Sequence, residues 1–428
     1  MYRHTPYAVA VLAIVGCLGV ATPVHAQEVQ EAPAVRDSLL TELRALTARL
    51  DSLEQVVAGL RAGRQDTTGA VDELAALRAA ATEAAAAADT TLGEQPAEPA
   101  GRRSLSALNP EISATGDFRL RGSSPGPQTD PFLVREFELS FQAALDPYAS
   151  TKIFFSWEDG SIDLEEGYAY WSGLPGGLRL DAGRIRQQIG ELNRVHLHAL
   201  PQTEYPLVLQ EYFGEEGLAG DGVRLYWLAP FSGPGGAVHE LTAEATVGGN
   251  EVMFEESNRA SFLGHLNNFW QISPSTFLQV GFTGLYGENP DSSLVSRVGG
   301  ADARFTWRPP GRELYRSFTV RGEVYGAQQQ VAGIGQTRWG GYVGAEYQLG
   351  RSWLAGTRFD WVEPLDGPDG THDWQLVPSV SWWQSEWVHL RAEWRHLSRA
   401  VETGPRVTSD QFVVQVVWAV GPHKHESY

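Results

Sequence analysis

The chain has 428 residues and a formal net charge of −19 at pH 7. An acidic surface repels a polyanion, so this charge argues against nucleic acid as a partner. The 46 glycines, 14 tryptophans, 14 tyrosines and 17 phenylalanines are many for a soluble enzyme. They suit a β-barrel, in which apolar residues occupy every second position of each strand. The composition therefore favours one large β domain with an appendage.

An export signal is predicted over residues 1–26. Arg3 precedes an apolar run from Ala8 to Val20, and Val24-His25-Ala26 forms a small-residue cleavage site. The only cysteine, Cys17, lies inside this signal, so the mature chain is expected to contain no disulfide. Cleavage and acylation at Cys17, as in a lipoprotein, is the alternative. No later apolar run reaches the roughly 18 residues of a spanning helix, so a membrane-spanning form requires a closed barrel.

Residues 27–64 are predicted to contain a short α-helical coiled coil, because leucine and valine recur there at alternating spacings of four and three. These positions are Leu39, Leu43, Leu46, Leu50, Leu53, Val57 and Leu60. An amphipathic helix lying on the barrel is the alternative. Residues 65–109 are rich in alanine, glycine and proline, which predicts a flexible linker.

Residues 110–428 follow a period-two hydrophobic pattern, which is typical of strands with one apolar face. Phe137 and Leu139, for example, alternate with Glu136 and Glu138. Such segments fall at 112–121, 133–145, 149–158, 163–171, 178–186, 217–228, 239–247, 261–272, 277–286, 295–307, 316–326, 337–349, 353–362, 373–383, 386–397 and 410–421. The segments are long enough for tilted strands to cross a bilayer. The predicted fold is all-β: a sixteen-stranded antiparallel transmembrane β-barrel with an N-terminal coiled-coil segment.

The connections between these segments alternate between tight turns and longer polar loops. That alternation is typical of outer-membrane barrels, whose short turns are periplasmic. A soluble β-sandwich also has one apolar face per strand. The barrel is favoured because acidic and arginine residues recur on the polar faces and paired aromatics at the strand ends suggest interfacial girdles. These aromatics are Tyr168, Tyr170, Trp382, Trp383 and Trp387.

This organisation resembles the phosphate-selective porin O/P-like family of bacterial outer-membrane porins. The resemblance covers nearly the whole chain, and the segments Asp181–Arg186 and Gly214–Gly217 in particular resemble the central region of that family. The C-terminal segment 421–428 departs from it, because the last strand usually ends the chain. The resemblance implies a Gram-negative-type outer membrane, with the coiled coil in the periplasm. The expected partners are membrane lipid, small hydrophilic solutes and two further copies in a homotrimer.

The predicted pore lining consists of charged side chains on the polar strand faces. It comprises Arg119, Arg121, Arg179, Asp181, Arg224, Arg304, Arg321, Arg358, Arg391 and Arg395. Many of these have an opposite charge two residues away on the same face. The two charges of such a pair either neutralise each other on a water-exposed barrel wall or create an electric field across the pore that orients solutes. Because acidic residues are as numerous as arginines, the preference for anions or cations stays open.

Residues 187–216 form a connection far longer than usual, which in a compact domain indicates a functional or disordered loop. Its apolar residues are poorly suited to open water, so the loop is expected to fold into the barrel as the third external loop. An outward loop packed on a neighbouring protomer is the alternative. The predicted constriction comprises Arg194, His196, His198, Glu204, Glu211, Glu215 and Glu216.

A zinc site at His196 and His198 is conceivable, with carboxylates from Glu211, Glu215 or Glu216. Nothing in the sequence places these carboxylates beside the imidazoles, and His423 and His425 raise the same question. No metal and no cofactor are predicted.

The predicted function is passive diffusion of small hydrophilic solutes, with anions as one candidate class, through a channel narrowed by the infolded third loop. No enzymatic activity is expected, because catalytic sequence motifs are lacking and the carboxylates are expected on walls open to water. Two alternatives stay open: a structural envelope protein tethered through its coiled coil, and an outer-membrane channel linked to a metal ion such as zinc.

Overall fold

The computed structural model describes most of the C-terminal three-quarters of the chain. The described residues are 110–125, 131–158, 160–248, 250–255, 257–291, 294–312, 314–330 and 335–421. The predicted signal peptide, coiled coil and linker lie outside this part of the chain, as do His423 and His425.

Sixteen antiparallel strands close into one barrel, with each strand hydrogen-bonded to its neighbours in sequence. They are β1 Glu111–Ser124, β2 Phe132–Ala144, β3 Ala149–Glu158, β4 Ser161–Leu174, β5 Leu178–Arg186, β6 Ala219–Leu228, β7 Val238–Gly248, β8 Ala260–Ser273, β9 Thr276–Glu288, β10 Val295–Trp307, β11 Phe318–Gln328, β12 Thr337–Gln348, β13 Trp353–Val362, β14 Asp373–Trp383, β15 Val388–Arg399 and β16 Val407–Val420. The predicted sixteen-stranded antiparallel barrel is confirmed, and strand ends differ from the predicted ends by at most three residues. The coiled-coil part of the predicted fold stays a prediction.

The first and last strands pair with each other, which leaves the sheet without a free edge. Phe118 lies opposite Val416 and Arg119 lies opposite Gln415 in this pairing. The Gln415 side-chain amide also donates to the Asp117 carboxylate at 2.9 Å. Both the backbone and the inward side chains therefore close the barrel.

The two faces of the barrel differ sharply in polarity. Outward residues such as Leu139, Val324 and Trp394 are exposed and apolar, as expected for strands in contact with lipid. Inward residues are mostly polar. The girdle prediction is wrong for Tyr168 and Tyr170, because Tyr168 is buried on the inward face and Tyr170 pairs across the sheet with the inward-facing Asp181.

The connections define two rims. One rim, the turn rim, carries the connections 145–148, 175–177, 229–237, 274–275, 308–317, 349–352 and 384–387. The opposite rim, the loop rim, carries the connections that follow the odd-numbered strands β1 to β15, among them the fully described connections 187–218, 363–372 and 400–406. The alternation of short turns and long loops is imperfect, because 229–237 and 308–317 are long and 159–160 is short.

The connection between β5 and β6, residues 187–218, is the inner segment of this barrel. It contains two 3-10 turns, Leu192–Arg194 and Leu197–Ala199, and helix α1, Leu207–Phe213. A second short helix, α2, spans Glu251–Phe254 on the loop rim. Within the described ranges, no helix is long and apolar enough to cross a membrane.

Candidate functional site

The inner segment lies inside the barrel, against inward-facing side chains of many strands. Asn193 holds the first and last residues of the segment together. Its side-chain amide donates to the carbonyl oxygens of Gln187 and Leu218, both at 2.8 Å. Arg186 at the end of β5 donates to the Tyr205 hydroxyl at 2.8 Å and to the Glu165 carboxylate at 2.7 Å. The two ends of the segment are therefore held together beside β4.

The first anchor on the opposite wall is Glu323 of β11. Its carboxylate accepts hydrogen bonds from the backbone N–H groups of Glu191 and Leu192, both at 2.9 Å. The Glu191 side chain in turn accepts from Arg304 at 2.8 Å and from Arg321 at 3.3 Å. This arrangement satisfies backbone donors that would otherwise be buried without partners.

The second anchor lies on β13 and β15. Arg358 donates to the backbone carbonyl oxygens of Glu204 at 2.8 Å and of Tyr205 at 3.2 Å. The Glu393 carboxylate accepts from the Thr203 backbone N–H at 3.0 Å and from its hydroxyl at 2.9 Å. Charged side chains of the wall thus bind the backbone of the inner segment directly.

Helix α1 forms an apolar core near the loop rim. Its buried residues Val208, Leu209, Tyr212 and Phe213 follow a spacing that places them on one helix face. They pack in a cluster that also contains Leu218, Met253, Phe254, Leu263, Leu285, Val298, Tyr325, Tyr342 and Val362. Gly340 on β12 permits this approach, since a Cβ atom there would lie only 2.7 Å from Val208 Cγ2. The apolar residues of the segment are buried against the wall.

His196 and His198 lie against four glutamates of β2 and β4. His196 Nδ1 is 2.7 Å from Glu138 Oε2 and 3.1 Å from Glu165 Oε2, and its Nε2 is 3.8 Å from Glu166 Oε2. Burial lowers the pKa of the His196 imidazole, but the carboxylate of Glu138 and its neighbours outweigh burial and raise that pKa well above its usual value.

The second imidazole of this cluster shares a carboxylate with the first. His198 Nδ1 is 3.5 Å from Glu136 Oε2 and 3.9 Å from Glu138 Oε2. Burial lowers the pKa of His198, and the two carboxylates again reverse the balance and raise it. The carboxylates beside the histidines are therefore those of the wall, and not those of Glu211, Glu215 and Glu216.

The seven predicted constriction residues do not lie together. Arg194, His196 and His198 are buried inside the barrel, and Glu204 is partly exposed there. Glu211 at the end of α1 accepts from the Leu365 backbone N–H at 3.1 Å. Glu215 and Glu216 are exposed at the loop rim.

The predicted lining residues divide into a buried and a partly exposed group. Buried beside acidic or amide partners are Arg119, Arg224, Arg358, Arg391 and Arg395, and Asp181 is buried beside Arg179 and Arg224. Partly exposed are Arg121, Arg179, Arg304 and Arg321. The expectation that the wall carboxylates are open to water is wrong for Asp117, Asp181 and Asp360, each of which is fully buried beside an arginine.

A cavity opens at the loop rim. Carboxylates predominate in its lining, which includes Glu165, Glu216, Asp221 and Glu251 beside the cations Arg184 and Arg186. Glu165 belongs both to this cavity and to the histidine cluster. The entrance therefore carries negative charge.

Sequence reasoning missed the roles of Glu165, Glu166, Glu191 and Glu323. The adjacent Glu165 and Glu166 interrupt the alternation of β4, which was the available signal for an irregular strand. A register shift between Phe154 and Phe155 accommodates them. Nothing in the sequence indicated that Glu323 receives the inner segment, because its partners lie more than 130 residues away.

No family model matches this chain. An uncharacterized protein of Aquifex aeolicus is 41% identical over 125 residues, which are 29% of this chain and 25% of that protein. The chain thus matches about a quarter of the length of this curated relative. The predicted membership of the phosphate-selective porin family stays a prediction.

Solved outer-membrane proteins, among them a porin, share the barrel fold. An anion-selective porin from Comamonas acidovorans superposes with a TM-score of 0.52 at 8% identity, over 73% of this chain and 99% of that one. The outer membrane channel DcaP of Acinetobacter baumannii superposes with a TM-score of 0.51 at 9% identity, over 75% of this chain and 100% of that one. The trimer form of OmpT, an outer membrane protein of Vibrio cholerae, superposes with a TM-score of 0.50 at 10% identity, over 73% of this chain and 99% of that one. At these identities the likeness establishes the fold of outer-membrane porins.

Glu204 supplies a pH-dependent contact between the inner segment and the wall. Its carboxylate lies 2.6 Å from Arg395 Nη1 and 3.7 Å from Arg119 Nη1. Burial in the barrel raises the pKa of Glu204, but Arg395 and then Arg119 outweigh burial and lower it to about 2. A carboxyl group with a lowered folded-state pKa stabilises the fold above its unfolded pKa and loses this effect as the pH falls through the folded value.

We therefore predict that Glu204→Gln lowers the free energy of unfolding at pH 7 and has no effect near pH 2. The loss should be about 1 kcal/mol or less, because 37% of the side chain is exposed to water. Unfolding of both proteins in detergent and denaturant, from pH 7 to pH 2, measures the difference. Glu402→Gln, on an exposed loop-rim connection, is the control. A difference that stays constant from pH 7 to pH 2 would contradict the assignment.

Proposed function

We propose that this protein is an outer-membrane porin, a passive diffusion channel for small hydrophilic solutes that is narrowed by its inner segment. The observation that carries the proposal is the anchoring of this segment across the interior of a closed sixteen-stranded barrel. A barrel of this size encloses more space than a membrane anchor needs. The exposed apolar outer face and the fold shared with porins support an outer-membrane location.

Polar side chains that remain partly exposed mark the water-accessible part of the interior. Arg304 and Arg321 retain 23% and 18% of their side-chain exposure, and both contact Glu191 of the inner segment. Arg179, at the start of β5, is similarly accessible and stacks on Tyr170, with its guanidinium carbon 4.2 Å from the ring centroid. These arginines lie toward the turn rim. They offer planar donors suited to carboxylate or phosphate groups, so we propose small anionic solutes as the favoured class.

No enzymatic role is proposed, because many of the buried carboxylates of the wall are engaged by arginines or by the inner segment. Glu393, for example, accepts from Thr203 and lies 2.6 Å from Arg395 Nε. Such groups position the segment.

The purified full-length protein should give stepwise conductance in planar bilayers. Removal of residues 194–210, with the ends rejoined by a short glycine linker, should raise the single-channel conductance several-fold and reduce ion selectivity. Both effects are expected because the deletion removes the side chains that approach the wall from inside.

Shortening the exposed loop-rim connection 400–406 serves as the matched control and should leave conductance unchanged. Unchanged conductance and selectivity in the 194–210 deletion would show that the inner segment is not the constriction. Silence of correctly folded wild-type protein would contradict the channel itself.

The accessible arginines allow a separate test of solute class. The double variant Arg304→Gln/Arg321→Gln should shift the reversal potential in a potassium chloride gradient toward cation selectivity, because two positive charges leave the water-filled part of the lumen. Arg297→Gln removes one positive charge from the outward face of β10 and is the control. Equal reversal potentials in all three proteins would place these arginines away from the conduction path.

We propose a homotrimer, assembled mainly through the barrel walls, with the N-terminal coiled coil adding to the association in the periplasm. The trimer form of one outer membrane protein that shares the fold supports this assembly.

Deletion of residues 27–103 should lower the temperature of trimer dissociation without abolishing the trimer, because most of the interface would lie between barrels. Native electrophoresis of heated samples measures this temperature. A deletion variant with an unchanged dissociation temperature would remove the coiled coil from the assembly, and a monomeric wild type would contradict the trimer.

A further inference from the structure

The histidine cluster of the inner segment has the donor set of a metal centre. Two groups of potential ligands occur, and in each group the ligand atoms lie within 4.8 Å of one another. One group is Glu136, Glu138 and His198, and the other is Glu138, Glu165 and His196. Glu138 is common to both, so the five side chains form one continuous cluster that links β2, β4 and the inner segment.

The spacing of these atoms suits a small divalent ion. Imidazole nitrogen and carboxylate oxygen bind zinc at about 2.0–2.2 Å, so neighbouring ligands of a tetrahedral ion lie about 3.4 Å apart. The distances from imidazole nitrogen to carboxylate oxygen in the cluster are 2.7, 3.1, 3.5 and 3.9 Å. Small side-chain movements would bring the ligands into place.

Glu136 provides an independent indication that a cation binds at this cluster. Its side chain is 2% exposed, and neither carboxylate oxygen accepts a hydrogen bond from any residue that the structure describes. Its nearest imidazole nitrogen, His198 Nδ1, is 3.5 Å away. Burying a carboxylate without hydrogen bonds is costly, and a coordinated cation removes that cost.

The charges around the cluster also favour a cation. Glu136, Glu138, Glu165 and Glu166 lie together, and Arg186 is paired with Glu165 at 2.7 Å. Glu165 also lines the acidic cavity at the loop rim, so one ligand of the cluster faces a region of negative charge.

We propose that this cluster binds a divalent transition-metal ion of the zinc type, which fastens the inner segment to the wall at β2 and β4. His196, His198, Glu136, Glu138 and Glu165 would supply the ligands. Imidazole and carboxylate together suit zinc better than calcium or magnesium, which take oxygen ligands. The proposal concerns how the segment is held and does not depend on conduction.

Zinc alone is the probe for a direct binding test. Untagged full-length protein in detergent is stripped with a chelator, equilibrated with buffered zinc and assayed for bound metal by mass spectrometry. At least one zinc ion per chain should bind, and His196→Asn, His198→Asn and Glu138→Gln should each weaken binding by at least about tenfold, as loss of a ligand requires. Heat-modified electrophoretic mobility confirms folding of each variant.

Two matched controls separate this site from other histidines. His265→Asn changes a buried histidine of β8 that contacts Thr283 at 2.8 Å, and it should leave zinc binding unchanged. The double variant His423→Ala/His425→Ala should also bind zinc as the wild type does. Loss of binding in that variant, or equal binding in all cluster variants, would overturn the proposal and indicate adventitious zinc.

The wild-type protein gives a test that does not depend on variant folding. X-ray absorption at the zinc edge should show mixed nitrogen and oxygen ligation with imidazole scattering. Stripped wild type that takes up no zinc, or zinc ligated only by oxygen, would contradict the site. The cluster would then be neutralised by protonated imidazoles.

Discussion

The structure depends on the mutual pairing of buried wall charges with the backbone of the inner segment. Glu323 and Glu393 accept backbone N–H groups, and Arg358 donates to backbone carbonyl oxygens. A segment that is largely irregular cannot satisfy these groups by itself, and buried wall charges without partners would be strongly destabilising. Each set of groups therefore makes burial of the other possible. This reciprocity explains why so many charged residues tolerate low exposure inside the barrel.

The electrostatic environment is divided along the barrel axis. The loop rim carries an acidic cavity around Glu216 and Asp221, whereas Arg304 and Arg321 remain accessible toward the turn rim. Between these regions lies the inner segment, with His196 and His198 fixed against glutamates. The two ends of the barrel interior therefore differ in the sign of their local charge.

The strands could be predicted from sequence because every face of the sheet obeys one local rule, the alternation of polar and apolar residues. Irregularities in strand pairing depart from that alternation and could not be predicted from it. A shift in pairing between Asp117 and Phe118 leaves Arg135 as an extra residue, so that Arg135 and Glu136 are both buried. The assignment of Tyr168 to an outer girdle was wrong for a different reason. Aromatic character does not by itself indicate which side of a barrel a residue faces.

The inner segment was recognisable by its length and its apolar content, but its contacts were not. The carboxylates beside His196 come from β2 and β4, whereas Glu215 and Glu216, close in sequence, lie at the rim. Contacts of this kind depend on where strands stand around the closed barrel. Sequence distance carries no information about that arrangement.

The distribution of these anchors has a consequence for folding. Thr203 contacts Glu393, which lies 190 residues later in the chain on the penultimate strand β15. Contacts of long sequence separation form late, because loop closure must precede them. The segment cannot acquire this anchor until β15 has joined the sheet. The part of the charged wall around Glu393 therefore stays hydrated until β15 is in place, and it loses its water only when Thr203 docks there.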